Sequence, residues 1–133
     1  MIEAKHIAGV LLAGGLARRM GGGDKGLQKL GGRPIIEFIV ERARPQVSAL
    51  VINASGDPER FSAFGLEVVA DVIEGFAGPL AGALTGMEWA AANGPGIGWV
   101  ATFATDAPFV PLDLVSRLSG AVEKDGADMA CAA

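Results

Sequence analysis

The chain has 133 residues, half of them hydrophobic and a fifth charged, which suits one globular domain and excludes a disordered tail. Its formal net charge is −4, yet residues 1–44 carry eight basic side chains against four acidic ones, and residues 45–133 carry three against eleven. An acidic whole excludes a broad nucleic-acid footprint, whereas a compact basic cluster beside carboxylates suits a small phosphorylated ligand with a metal ion.

The first predicted element is His6–Ala13, a short and almost fully apolar run of the kind buried on both faces of a parallel sheet. Ile7–Ala17 superficially resembles a signal-peptide core. Glu3 precedes it, however, and Arg18-Arg19 stand where a small-residue cleavage site belongs. No run reaches the roughly 18 apolar residues of a membrane span, so a cytoplasmic protein without membrane contact is expected. A glycine-rich loop follows from Gly14 to Gly32. Glycine makes up 20 of the 133 residues, and nine of these lie within the first 32, against a usual share of roughly 7 %. Glycine concentrated in an apolar chain points to backbone that approaches a ligand closely.

Pro34 opens a predicted helix ended by Pro45, with Ile35, Ile36, Ile39, Val40 and Ala43 on its apolar stripe. Ala49–Ala54 is a second buried strand and Glu67–Ala70 a third, with a short helical start at Asp57-Pro58-Glu59 between them. Pro79 begins a helix to about Ala92, stopped by Asn93-Gly94-Pro95-Gly96, and its stripe of Leu80, Leu84, Met87 and Ala91 is expected in the core. Trp99–Ala104 is a fourth strand, Pro111–Asp125 a fourth helix, and Asp128–Ala133 the start of a fifth strand. This alternation predicts a three-layer α/β/α domain with a mainly parallel sheet. Residues 1–133 read as a single domain, and a last strand without a covering helix is expected to mark the front part of a longer protein.

In an open α/β sheet, ligands bind beyond the carboxyl ends of the strands. The residues that follow the four main strands are the loop from Gly14, then Asn53, Asp71, and Thr105-Asp106-Ala107-Pro108-Phe109. Lys25 is preceded by Asp24 and followed by Gly26, so the loop is not a Walker-type phosphate loop. Gly21, Gly23 and Gly26 have Gly-x-Gly-x-x-Gly spacing but lie too far past the strand, and Asn53 replaces the acid that would hold a ribose of NAD. There remain a solvated surface loop and a loop wrapping a nucleoside triphosphate. In the second, amides at Gly14 and Gly15 meet phosphate oxygens while Arg19 and Lys25 neutralise charge. Asp106 is either a Mg²⁺ ligand or a turn or capping aspartate beside Pro108, and Asp71 is of a type common after strands. The lone Cys131 excludes an intrachain disulfide and a cysteine zinc site, and the lone His6 leaves His-assisted nucleophile chemistry dependent on one residue.

Leu12-Ala13-Gly14-Gly15 with Arg19-Met20-Gly21-Gly22 and Asp24-Lys25-Gly26 resembles the signature of the molybdenum cofactor guanylyltransferases. Gly78-Pro79-Leu80-Ala81-Gly82 and Thr105-Asp106-Ala107-Pro108-Phe109 resemble that family's later motifs. The resemblance implies a Rossmann-like nucleotidyltransferase fold, similar to glycosyltransferase A. It implies transfer of GMP from GTP to the phosphate of molybdopterin, forming molybdopterin guanine dinucleotide and releasing pyrophosphate. It places Leu12, Ala13, Gly14, Gly15, Lys25, Asn53 and Asp71 on GTP, Asp106 on Mg²⁺, and Gly22 and Gly78 near the reacting groups. Cofactor-delivery and molybdoenzyme-maturation proteins are the implied partners. Family members run longer, and their later segment supplies a second acidic metal site and much of the pterin pocket. Two other readings stand beside it: a cytidylyl- or sugar-phosphate nucleotidyltransferase, and a nucleotide-binding module without catalysis.

Overall fold

The computed structural model describes residues 2–13, 27–55, 57–70, 79–105 and 107–132. Strand β1 (Ile7–Leu12) is central. It pairs in parallel with β4 (Ala49–Asn53) on one side and β6 (Trp99–Ala104) on the other, and β4 pairs in parallel with β5 (Val68–Val69). The sheet order is therefore β5-β4-β1-β6. Ile7, Ala8, Val10 and Leu11 of β1 are all buried, as a strand covered on both faces requires.

Helices α1 (Ile35–Ala43) and α3 (Leu114–Asp125) cover one face. Ile36, Ile39, Val40 and Ala43 of α1 and Val115 of α3 join Leu11, Leu50, Ile52, Phe61 and Phe103 in one apolar cluster. The predicted α1 stripe is thus the observed buried stripe. Asp57 caps the short 3-10 helix Pro58–Phe64 by accepting from the Glu59 amide at 3.0 Å, and this helix drives Phe61 into the same cluster.

Helix α2 (Pro79–Asn93) covers the opposite face and corrects the expected stripe. Leu80 is 78 % and Met87 57 % exposed, while Ala81, Thr85 and Ala90 are buried. The reason is close approach. A Cβ on Gly82 would lie 2.5 Å from Leu12 Cδ2, and one on Gly86 would lie 2.3 Å from Val10 Cγ2. Helix periodicity places both the large and the small residues on stripes, and the small stripe lets the α2 backbone sit against β1.

Two further differences from the sequence expectation have local causes. Lys29–Leu30 (β2) and Arg33–Pro34 (β3) form a small antiparallel hairpin inside what reads as loop. Gly31 and Gly32 link them with φ of 62° and 86°, the doubly positive pattern of a type I′ turn. The expected strand Asp128–Ala133 is not formed over residues 128–132. Helix α3 ends with the Ala127 amide bonded to the Val122 carbonyl at 3.0 Å, and Met129 beyond it is 73 % exposed. An apolar run becomes a strand only against a neighbour that accepts its ladder, and no described strand pairs with these residues.

Candidate functional site

Because the four-stranded sheet is parallel, all its strands end on the same side, and hydrogen bonds tie those ends together. The Ala13 amide donates to the Asn53 carbonyl at 2.9 Å, and the Ala54 amide donates to the Val69 carbonyl at 3.2 Å. The Asn53 side-chain amide donates to the same Val69 carbonyl at 3.2 Å. On the other side, the Thr105 hydroxyl donates to the Leu12 carbonyl at 3.0 Å. Asn53 and Thr105 are both buried. A rigid platform running from β5 to β6 results, and the chain leaves it after Ala13 and after Thr105.

The helical layers change sides at this platform. Helix α1 follows β1 on one face, whereas α2 precedes β6 on the other, so β1 and β6 flank a topological switch point. Ligands of open α/β sheets bind at such points, outside the strand carboxyl ends.

Of the residues expected at the site, Leu12, Ala13 and Asn53 are described, and the platform brings them together. Gly14, Gly15, Arg19, Gly22, Lys25, Asp71, Gly78 and Asp106 lie outside the described residues. Leu12 and Ala13 take part through backbone groups. The Asn53 side-chain nitrogen bonds Val69, and its oxygen faces α2, 2.6 Å from where a Gly82 Cβ would be. Asn53 is therefore held as part of the platform.

Sequence reasoning passed over three residues here. Thr105 and Gly82 are two of them; both stood inside quoted motifs, but only contact geometry gives them work. The third is Arg60, whose guanidinium donates to the carbonyls of Ser55 at 2.7 Å and Asp57 at 2.6 Å and lies over the Phe61 ring at 4.5 Å. It ties Ser55 and Asp57, beyond the end of β4, to the short 3-10 helix that carries it.

The basic side chains of the first third do not all converge on this end. Lys5 pairs with Glu3 at 3.2 Å at the amino end of β1. Arg33 bonds Glu41 and Glu37 and lies over the Phe38 ring at 4.4 Å. Those two bonds, Glu41 first, hold its pKa above the ordinary value. Arg42 donates to the Val110 carbonyl at 3.1 Å. His6 sits just before β1, its Nδ1 accepting from the Glu3 amide at 3.3 Å, at the end of the strand away from the platform. It cannot serve chemistry at the carboxyl ends. Among the described residues no group of three or more His, Cys, Asp or Glu side chains is placed to hold a metal, and no helix is long and apolar enough to cross a membrane.

A parallel α/β sheet with its strand ends laced together beside a change of helical side defines the class of nucleotide-binding α/β domains. The profile described as the MobA-like NTP transferase domain matches residues 9–133, and the chain belongs to that family. A protein of Nitrobacter hamburgensis named molybdenum cofactor guanylyltransferase is 51 % identical over 131 residues, covering 98 % of this chain and 63 % of its own length. One of the same name from Mesorhizobium japonicum is 55 % identical over 128 residues, covering 96 % and 61 %. The chain thus spans about three-fifths of the length of these curated relatives. The crystal structure of molybdopterin-guanine dinucleotide biosynthesis protein A from Archaeoglobus fulgidus superposes with a TM-score of 0.62 at 25 % identity, over 90 % of this chain and 57 % of that one.

Proposed function

We propose that this chain is the nucleotide-binding portion of an enzyme that transfers GMP from GTP to the terminal phosphate of molybdopterin, with release of pyrophosphate. The observation that carries the proposal is identity of about half, across nearly the whole chain, with two proteins named molybdenum cofactor guanylyltransferase.

In this reaction an acceptor phosphate oxygen bonds to the α-phosphorus of GTP, and the bond from that phosphorus to the bridging oxygen of the β-phosphate breaks. The attacking group is already anionic, so no general base is required, and the placement of His6 away from the platform is compatible with the chemistry. The barrier lies in bringing two anions together, which positioning and charge neutralisation lower. Leu12 and Ala13 lead into Gly14 and Gly15, whose amides would meet the phosphates, and Arg19 and Lys25 would balance their charge. Asn53 and Asp71 would border the nucleotide from the ends of β4 and β5, with Gly22 and Gly78 close to the reacting groups.

Asp106 directly follows Thr105, which is anchored to the Leu12 carbonyl. One carboxylate there fits Mg²⁺, which takes one or two carboxylates and fills its remaining positions with phosphate oxygens and water. When bound, Mg²⁺ supplies charge neutralisation on the triphosphate. Molybdopterin and the proteins that deliver it belong to the same reading, as does a cytoplasmic location.

The test is calorimetric titration of the chain with GTP, ATP and CTP in the presence of Mg²⁺. GTP is expected to bind most tightly. Tighter CTP or ATP binding would overturn the guanine assignment, and pyrophosphate release with a sugar phosphate as acceptor would move the enzyme to another substrate class.

A further inference from the structure

The chain that leaves β6 is held at two points. At the near one the Thr105 hydroxyl donates to the Leu12 carbonyl at 3.0 Å. At the far one Val110 is buried in the apolar cluster with α1 and Val115 of α3, and its carbonyl accepts from Arg42 Nη1 at 3.1 Å. Residues 106–109 lie between them, and within that span Pro108 fixes its own φ. Phe109 sets its exposed ring beside α1, 6.4 Å from the Phe38 ring centroid, with the Arg42 guanidinium 6.0 Å over it. Arg33, on the same side of the molecule, bonds two carboxylates, whereas among the described residues no carboxylate pairs with Arg42. The Arg42 guanidinium is given to the segment between β6 and α3.

We infer that Arg42 is a positioning residue for Asp106: by holding the Val110 carbonyl it makes the span that carries this carboxylate short and anchored at both ends. The inference rests on the proposed role of Asp106 in holding Mg²⁺ beside the nucleotide. It goes beyond that role by giving work to a helix residue that need not touch the ligand. A short span anchored at both ends has little freedom left to lose when a metal binds. Released at Val110, it must be ordered at that moment, and the ordering is subtracted from what the metal contributes to affinity. The buried Val110 side chain fixes where that end sits, and the Arg42 bond fixes which way its peptide faces. Gln46 bonds the next carbonyl, that of Pro111, but also accepts from the Val115 amide of α3. The Arg42 side chain is thus the one whose work is confined to the chain coming from β6.

The experiment measures GTP affinity of the whole chain by titration in Mg²⁺ and in EDTA, with Tm read alongside. The ratio of the two affinities reports the coupling between metal and nucleotide. Arg42→Met keeps the apolar stem and removes the donors. It is expected to lower that ratio by about threefold or more, toward the value of Asp106→Asn, with affinity in EDTA within about twofold of the unsubstituted chain. Ser48→Ala is the control, because it removes a side-chain bond of 2.9 Å to the Ile7 carbonyl at the opposite end of the sheet. It is expected to lower Tm and leave the ratio unchanged. An unchanged ratio in Arg42→Met, or an equal fall in Ser48→Ala, overturns the inference, since loss of stability alone would move only Tm. Should Arg42→Met fail to fold, Phe109→Leu is read in its place, because it takes away the exposed ring that rests against Phe38 and Arg42. A lowered ratio there supports the inference, and an unchanged one overturns it. If Asp106→Asn itself keeps the ratio of the unsubstituted chain, the proposed metal role fails and this inference falls with it. That outcome is distinct from a fall in Asp106→Asn without one in Arg42→Met, which overturns the inference alone.

Discussion

Thr105 is the residue whose work is most sharply defined by a single bond. Its hydroxyl, buried at the end of β6, donates to the Leu12 carbonyl at 3.0 Å and so ties together the two strands that flank the switch point. Thr105→Val keeps the shape and removes the donor, leaving the half-buried Leu12 carbonyl short of one partner, which costs about 1 kcal/mol of stability. Because the same bond holds Thr105 against Leu12, at the strand ends where the proposed site lies, GTP affinity is expected to fall severalfold as well. Thr105→Ser retains the hydroxyl and is expected to restore affinity; titration of the two variants side by side checks this. A Thr105→Ser variant as weak as Thr105→Val would mean that the methyl, not the hydroxyl, matters. Its place just after the strand separates this threonine from Thr102 three residues earlier in the sequence, but does not show that its hydroxyl bonds back to β1. The difference is one of face and partner, which only the β1·β6 register supplies, with Leu12 opposite Ala104.

Among elements, the segment joining α1 to α3 depends on one amide side chain. Gln46 donates through Nε2 to the carbonyls of Arg42 at 2.8 Å and Pro111 at 2.9 Å, and its Oε1 accepts from the Val115 amide at 2.8 Å. It thereby closes the end of α1, holds the loop that returns from β6, and satisfies an otherwise orphan amide in the first turn of α3. Asp113 precedes α3 without a side-chain capping bond, so the cap comes from outside the helix. Gln46→Ala is expected to lower stability by about 1–3 kcal/mol. Urea unfolding would register it as a lower midpoint at unchanged slope, and an unmoved midpoint would show the three bonds to be replaced by water at no cost. Elements with a strong signal were readable in advance. The runs of β1 and β4 are apolar because both faces are covered, β6 is an apolar run with only Phe103 buried, and α1 shows its buried stripe directly. The β2–β3 hairpin was not readable, because two-residue strands carry no periodicity and only Gly31-Gly32 hinted at the turn. The inward face of α2 was misjudged for a related reason. Hydrophobicity ranks Leu80 and Met87 above Gly82 and Gly86, while packing against β1 rewards the absence of a side chain. Of the site, Leu12, Ala13 and Asn53 could be placed by asking what stands at each strand end, whereas Asn53's bond to Val69 could not, since it depends on which way an amide turns.

At the scale of the whole molecule the charge distribution poses a problem that the proposed site must solve. The chain carries a net charge of −4, with its acidic side chains concentrated after residue 44, and a triphosphate brings several more negative charges to it. Three of the eight front basic side chains, Lys5, Arg33 and Arg42, are engaged elsewhere, and on the proposed reading Arg19, Lys25 and a Mg²⁺ ion held by Asp106 would carry the neutralisation. Linkage makes this testable: if GTP and Mg²⁺ share the site, each raises the affinity for the other by the same factor. Removing Mg²⁺ with EDTA is therefore expected to weaken GTP binding to the unsubstituted chain by about tenfold or more. Mg²⁺ also binds GTP free in solution, so the Asp106→Asn variant provides the subtraction, since it keeps the solution effect and loses the protein ligand. Its GTP affinity is expected to respond much less to EDTA, while Lys25→Ala binds GTP more weakly in both conditions and keeps its Mg²⁺ dependence. Equal EDTA sensitivity in the unsubstituted chain and Asp106→Asn would remove Asp106 from the metal site and leave the cationic side chains as the sole counterweight to the triphosphate.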